Sequence, residues 1–221
     1  TLFAARLRLA ERDLEGAAAL AAEAAEVVRR RRFTQRTPDV AAIQALIALR
    51  RGDLEGAQAL AAAHGLPLIE ARVHLLQGDA PAALALLEPL RGQAEAEGWV
   101  DERLPVMVLQ ALALHAQGDE EAALRLLQAA LQAAEPAGLI RVFVDEGAPM
   151  VQLLRGAAKQ GVMPAYTAAL LEALAAEGHP PASNPDAAPA ASAEPAGEPL
   201  TEPLSARERE VLQLIAQGLS N

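Results

Sequence analysis

Apolar residues recur along most of this chain at intervals of three and four, the repeat of one helix face. The pattern breaks and restarts, and it predicts helices over roughly 2–11, 14–32, 38–51, 54–64, 67–77, 80–97, 100–117, 120–135, 139–146, 148–160 and 164–176. Pro38, Pro81 and Pro164 fall near first-turn positions, where a missing N–H costs nothing. One stretch is ambiguous. In Leu139–Glu146, LIRVFVDE, the residues Ile140, Val142 and Val144 alternate as they would in a strand. No second strand pattern exists to pair with it, which favours helix.

The breaks between helices repeat one another. They read ERDLEGA at Glu11–Ala17, RGDLEGA at Arg51–Ala57, QGDAPAAL at Gln77–Leu84 and QGDEEAAL at Gln117–Leu124. Their aspartates, Asp13, Asp53, Asp79 and Asp119, are 40, 26 and 40 residues apart. In the last three a glycine closes one helix and the aspartate caps the next. Glu55, Glu120 and Glu121 suit the positive end of the new helix. Small pairs follow at Gly16–Ala17, Gly56–Ala57, Ala82–Ala83 and Ala122–Ala123, where the second helix would cross the first. Helix–turn–helix units of this kind stack into a solenoid. Tetratricopeptide repeats have a period of about 34 residues. The spacings here bracket that period without matching it, so the expected fold is all-α and TPR-like: a superhelix of antiparallel helix pairs.

The character changes after Gly178. The segment His179–Pro203 holds seven of the chain's 15 prolines and neither lysine nor arginine, which predicts an extended, disordered linker. Beyond it, Leu204–Asn221 again reads as helix. Ser205 and Glu208 have the spacing of a capping box, and Val211, Leu212 and Ile215 share a face. Gly218 can end that helix in the left-handed conformation, with Leu219 folding back onto Leu214. Ser220 then begins another helix. Three parts follow: 1–178 helical, 179–203 linker, and 204–221 the start of a further element.

Composition sharpens this picture. Hydrophobic residues make up 52% of the 221 and aromatics only 2%, so the core must be built of leucine and alanine. Those are the best apolar helix formers. The net charge of −10 disfavours attraction to phosphate backbones by the overall field. Without cysteine there is no disulfide framework, thiolate zinc site or cysteine nucleophile, a composition that fits a reducing cytoplasm. No run of about 20 apolar residues suggests a membrane span, and Thr1–Asp13 does not read as a signal peptide.

No catalytic constellation is legible, and the chain is not expected to be an enzyme or to hold a cofactor. His64, His74, His115 and His179 are scattered, and a shared metal is not expected. Ser183, Ser192, Ser205 and Ser220 stand in no nucleophile-elbow sequence. The lone lysine, Lys159, follows Ala158, so no phosphate-binding loop is present. The one dense basic cluster is Arg29, Arg30, Arg31 and Arg32 with Arg36. It reads first as a solvated helix end, where cations suit the dipole. Its second reading is a docking patch for a partner or an anionic ligand.

Two stretches carry a family resemblance. Leu204–Asn221 resembles the first helix and turn of LuxR-type helix-turn-helix DNA-binding domains. Ala137–Gly161, AGLIRVFVDEGAPMVQLLRGAAKQG, resembles the end of the helical sensor domain in MalT-like regulators, which are ATP-dependent, LuxR-type bacterial transcription factors. The resemblance implies an ATPase domain before this region, a TPR-like superhelix within it, and a DNA-binding domain that starts at 204 and is cut after its first turn. It implies a small-molecule inducer or a regulatory protein in the superhelix groove, possible self-association, and DNA as partner only of the longer protein. Of the DNA-binding motif only Ser220 and Asn221 are carried over, for a backbone contact at most, because the base-reading residues would lie beyond them. A TPR-like scaffold for protein partners, unrelated to transcription, is the alternative. On either reading the purified chain should give no salt-sensitive, sequence-dependent mobility shift with DNA.

Overall fold

A computed structural model describes residues 1–178. The expected linker at 179–203 and the terminal element at 204–221, with Ser220 and Asn221, lie outside the described residues. The described residues contain no strand. Their helices are α1 (Leu2–Ala10), α2 (Leu14–Arg31), α3 (Thr37–Arg50), α4 (Leu54–His64), α5 (Pro67–Leu76), α6 (Ala80–Glu97), α7 (Val100–Ala116), α8 (Glu120–Ala134), α9 (Arg141–Val144), α10 (Ala148–Lys159) and α11 (Pro164–Ala176). Short 3-10 turns at Thr34–Arg36 and Glu135–Ala137 were not anticipated. The ambiguous segment is helical, as favoured, but only for the single turn of α9; Leu139 and Ile140 stay outside it.

The four related breaks share one geometry. The residue before each aspartate is left-handed: Arg12 (φ 61°), Gly52 (78°), Gly78 (78°) and Gly118 (84°). The aspartate N–H then donates back to the carbonyl of Arg8, Ala48, His74 or Leu114, at 2.8 to 3.0 Å, closing a Schellman motif. The aspartate carboxylate in turn accepts from the third N–H of the next helix: Asp13 from Gly16 (2.8 Å), Asp53 from Gly56 (2.8 Å), Asp79 from Ala82 (3.1 Å) and Asp119 from Ala122 (3.0 Å). One residue therefore ends one helix and begins the next. A Cβ at Gly16 or Gly56 would lie 2.1 or 2.2 Å from that carboxylate, and where alanine stands instead the cap bond is longer.

The small residues behave as the sequence suggests. Ala17, Ala57, Ala83 and Ala123 are all fully buried, which lets each helix lie close on its predecessor. Each helix up to α8 packs mainly on its chain neighbours, and the odd helices α1, α3, α5 and α7 also touch the next odd helix. No contact of similar extent joins α2 to α4 or α4 to α6. From α1 to α7 the odd helices thus form the closed inner layer of the stack, and α2, α4 and α6 splay apart outside it.

The core is uneven along the stack. Around α1–α3 it consists of Ala5, Ala17, Ala21, Ile43 and Ile47. From α5 onward it is one cluster that includes Leu87, Leu109, Leu127, Leu131, Phe143, Met150, Leu153, Leu170 and Leu174. Helices α6 and α7 run through Pro89 and Pro105, each losing one helical N–H, within this better-packed half. The turn geometry gives a direct test. Asp119→Ala should lower stability by about 1 kcal/mol through the lost cap. Gly118→Ala should cost about 1 kcal/mol through its left-handed backbone. Urea denaturation of the purified chain checks both.

Candidate functional site

The arginine cluster lies where α2 ends. Arg29, Arg30 and Arg31 occupy its last turn and Arg32 is its C-cap; Arg36 ends the short turn that leads into α3. Glu26, one turn back, accepts from Arg29 and lies 3.3 Å from Arg30. Arg36 donates to Asp39 at 3.0 Å. Among the described residues the side chains of Arg31 and Arg32 meet no carboxylate. The local balance is five arginines against two acids, in a chain whose net charge is −10. Arg32 is also left-handed (φ 54°, ψ 35°), which costs a residue with a Cβ about 1 kcal/mol relative to glycine.

Beside this cluster is a cavity of about 440 Å³. Its walls are Ala25, Val28, Arg29 and Arg32 of α2, Thr34, and Thr37, Val40, Ala41 and Gln44 of α3, with His64 of α4 at the far side. It follows from the splaying of α2 and α4: they share no extensive contact, and the face of α3 between them is left as a floor. Val40 and Ala41 are nearly fully buried there. Of the five clustered arginines, Arg29 and Arg32 line the cavity and Arg30, Arg31 and Arg36 do not. The cavity's position was not legible in the sequence, because His64 reaches it through a helix pair whose register only the stack defines.

A second polar constellation joins the end of the described chain to its middle. Arg72 of α5 grips Glu146, just after α9, with Nη2 2.6 Å and Nε 3.1 Å from Oε1. Glu146 is nearly buried, with 8% of its side chain exposed. Burial by itself would weaken the hold of Arg72 on its proton, but the Glu146 carboxylate outweighs this and raises the guanidinium above its ordinary pKa. Arg50, at the end of α3, donates to the Asp145 carbonyl at 2.8 Å. Arg141 of α9 bridges Asp145 and Glu177. Partial burial raises the Asp145 carboxyl pKa, and Arg141 and Arg50 only reduce that shift. The ring of Phe143 meets Tyr166 edge-on at 6.3 Å, and the Tyr166 hydroxyl donates to the Leu139 carbonyl at 2.9 Å. The short helix α9 is thus tied to α3 and α5 by charge and to α11 by packing.

The histidines divide. His74 and His115 stand at the ends of α5 and α7. Nδ1 of His115 is 2.8 Å from Glu120 Oε1, and Nδ1 of His74 is 3.9 Å from Asp79 Oδ2, so each faces the turn that follows it. His64 alone lines the cavity, and His179 lies outside the described residues. Among the described residues no three side chains of metal-binding type come together, and no helix is long and apolar enough to cross a membrane.

A family model, described as the MalT-like TPR region, matches residues 1–160. The chain belongs to the MalT-like TPR family. Its match takes in all four capped turns, the cavity, and α9 with Asp145 and Glu146. Neither a curated protein nor a solved structure matches the chain. Within this MalT-like region the Arg72–Glu146 pair is the most deeply placed ionic contact described. Glu146→Ala should cost about 3 kcal/mol, because it strands a largely buried guanidinium. Thermal denaturation of that variant beside Glu70→Ala, whose side chain is in no described ion pair, measures the difference.

Proposed function

We propose that residues 1–178 are the ligand- or partner-sensing superhelix of a MalT-type, LuxR-type transcriptional regulator of the bacterial cytoplasm. The observation that carries this reading is the MalT-like TPR match over residues 1–160. The likeness of Leu204–Asn221 to the opening of a LuxR-type helix-turn-helix supports the regulatory half of the reading. On this reading an ATPase domain precedes the region, and a DNA-binding domain follows it, with Ser220 and Asn221 at the start of its second helix. The superhelix itself catalyses nothing and holds no cofactor. It binds a small molecule or a regulatory protein, and occupancy changes self-association and DNA binding by the rest of the protein. The tie between α9 and the helices α3 and α5 supports this, since α9 leads toward the C-terminal part and is anchored on earlier repeats.

The full-length gene product should bind one DNA sequence in a salt-sensitive way. Glu146→Ala, by loosening α9, should change the fraction bound at fixed protein concentration. Fluorescence anisotropy with labelled promoter fragments reads both. A full-length product that bound no DNA under any nucleotide or ligand condition would overturn the regulatory reading and leave the protein-binding scaffold in its place.

A further inference from the structure

We infer that the cavity between α2, α3 and α4 binds a small amphiphilic anion, with an oxyacid head on Arg32 and Arg29 and an apolar body over Val28, Val40 and Ala41. This rests on the sensing role proposed above and gives that role a ligand class. The argument begins with the repeats themselves. The even helices up to α8 end in a left-handed residue: Arg32 after α2, Gly65 after α4, Gly98 after α6 and, past the short turn following α8, Gly138. Three of these four are glycine, the residue that adopts this backbone without strain. The fourth is arginine, and it lines a cavity. Non-glycine residues held in strained backbone conformations cluster at functional sites, and of the three among the described residues, Arg12, Arg32 and Met163, only Arg32 lines this cavity.

The surroundings say what the use is. Arg32 meets no carboxylate among the described residues, and Arg29 meets only Glu26 of its own helix. The floor and one wall are aliphatic, and Thr34, Thr37, Gln44 and His64 offer hydroxyl, amide and imidazole groups around them. The volume of about 440 Å³ is that of a small-molecule site. Guanidinium groups pair with carboxylate and phosphate alike through paired N–H donors. The shared chemistry is therefore a single anionic head on a short hydrocarbon body, and the two heads are told apart by experiment. Glu26 competes with the ligand for Arg29, so its charge sets the strength of binding.

Isothermal titration of the full chain with octanoate, octyl phosphate, 1-octanol and inorganic phosphate tests this. At least one octyl anion should bind roughly tenfold or more tighter than octanol or inorganic phosphate. The stronger of the two identifies the head group. Arg32→Gly separates binding from folding, because its two effects have opposite signs. It should weaken the octyl anion several-fold while leaving Tm unchanged or higher, since it relieves the left-handed strain. Glu26→Gln should strengthen binding. Octanol binding as tightly as both anions, or unchanged anion binding in Arg32→Gly, overturns the assignment. Failure of both octyl anions to bind also overturns it, but not the sensing role, which is decided by the DNA response of the full-length product to Glu146→Ala.

Discussion

Two helices meeting at a left-handed residue followed by an aspartate is the constraint on which the rest of this fold depends. The aspartate N–H closes the helix behind it and the aspartate carboxylate opens the helix ahead. The chain reverses with no slack residues between the two helices. Because the same short joint recurs at Asp13, Asp53, Asp79 and Asp119, it fixes the same antiparallel crossing each time. The buried alanine four positions after each aspartate then sets how closely the crossing helices approach. A larger side chain at Ala17, Ala57, Ala83 or Ala123 would push the pair apart and alter the pitch of everything stacked on it.

From that joint the layering follows. From α1 to α7 the odd helices touch along the inner side, while α2, α4 and α6 on the outer side make no comparable contact with one another. A gap between them is a geometric by-product of curvature, and the chain uses the gap between α2 and α4 differently from its own repeated pattern. The first helix pair carries arginine at both positions, 12 and 32, where the following pairs carry glycine. Its core is also small, with alanine and isoleucine in place of the leucine, methionine and phenylalanine packed from α5 onward. The part of the stack with arginine at its turns is thus held by less apolar contact than the half from α5 onward, and opening costs less there.

Much of this was legible in the residues. The helix boundaries agree to within a residue or two because capping is local: the glycine, the aspartate and the small pair are all neighbours in sequence. The MalT-like TPR family was legible through the resemblance carried by one continuous stretch, Ala137–Gly161. The cavity was not legible. Arg29 and Arg32 stood out, but nothing local connects them to Val40, Gln44 or His64, which come together only through the angle between successive pairs. The same holds for Arg50, Arg72, Asp145 and Glu146. Asp145 and Glu146 end an apolar run and could have drawn notice, but their partners are 95 and 74 residues earlier. The short extent of α9 was also missed, because the alternation of Ile140, Val142 and Val144 suggested a longer element than its single turn.

An array in which each unit touches only its neighbours behaves mechanically as a spring: it bends, stretches and frays one unit at a time. The contacts of Arg50 and Arg72 with the residues after α9 buckle that spring to itself. Any movement that changes the spacing of α3 and α5 now pulls on α9, and any pull on α9 is felt four to six helices back. Local compliance becomes a displacement at a distance, carried by two arginines.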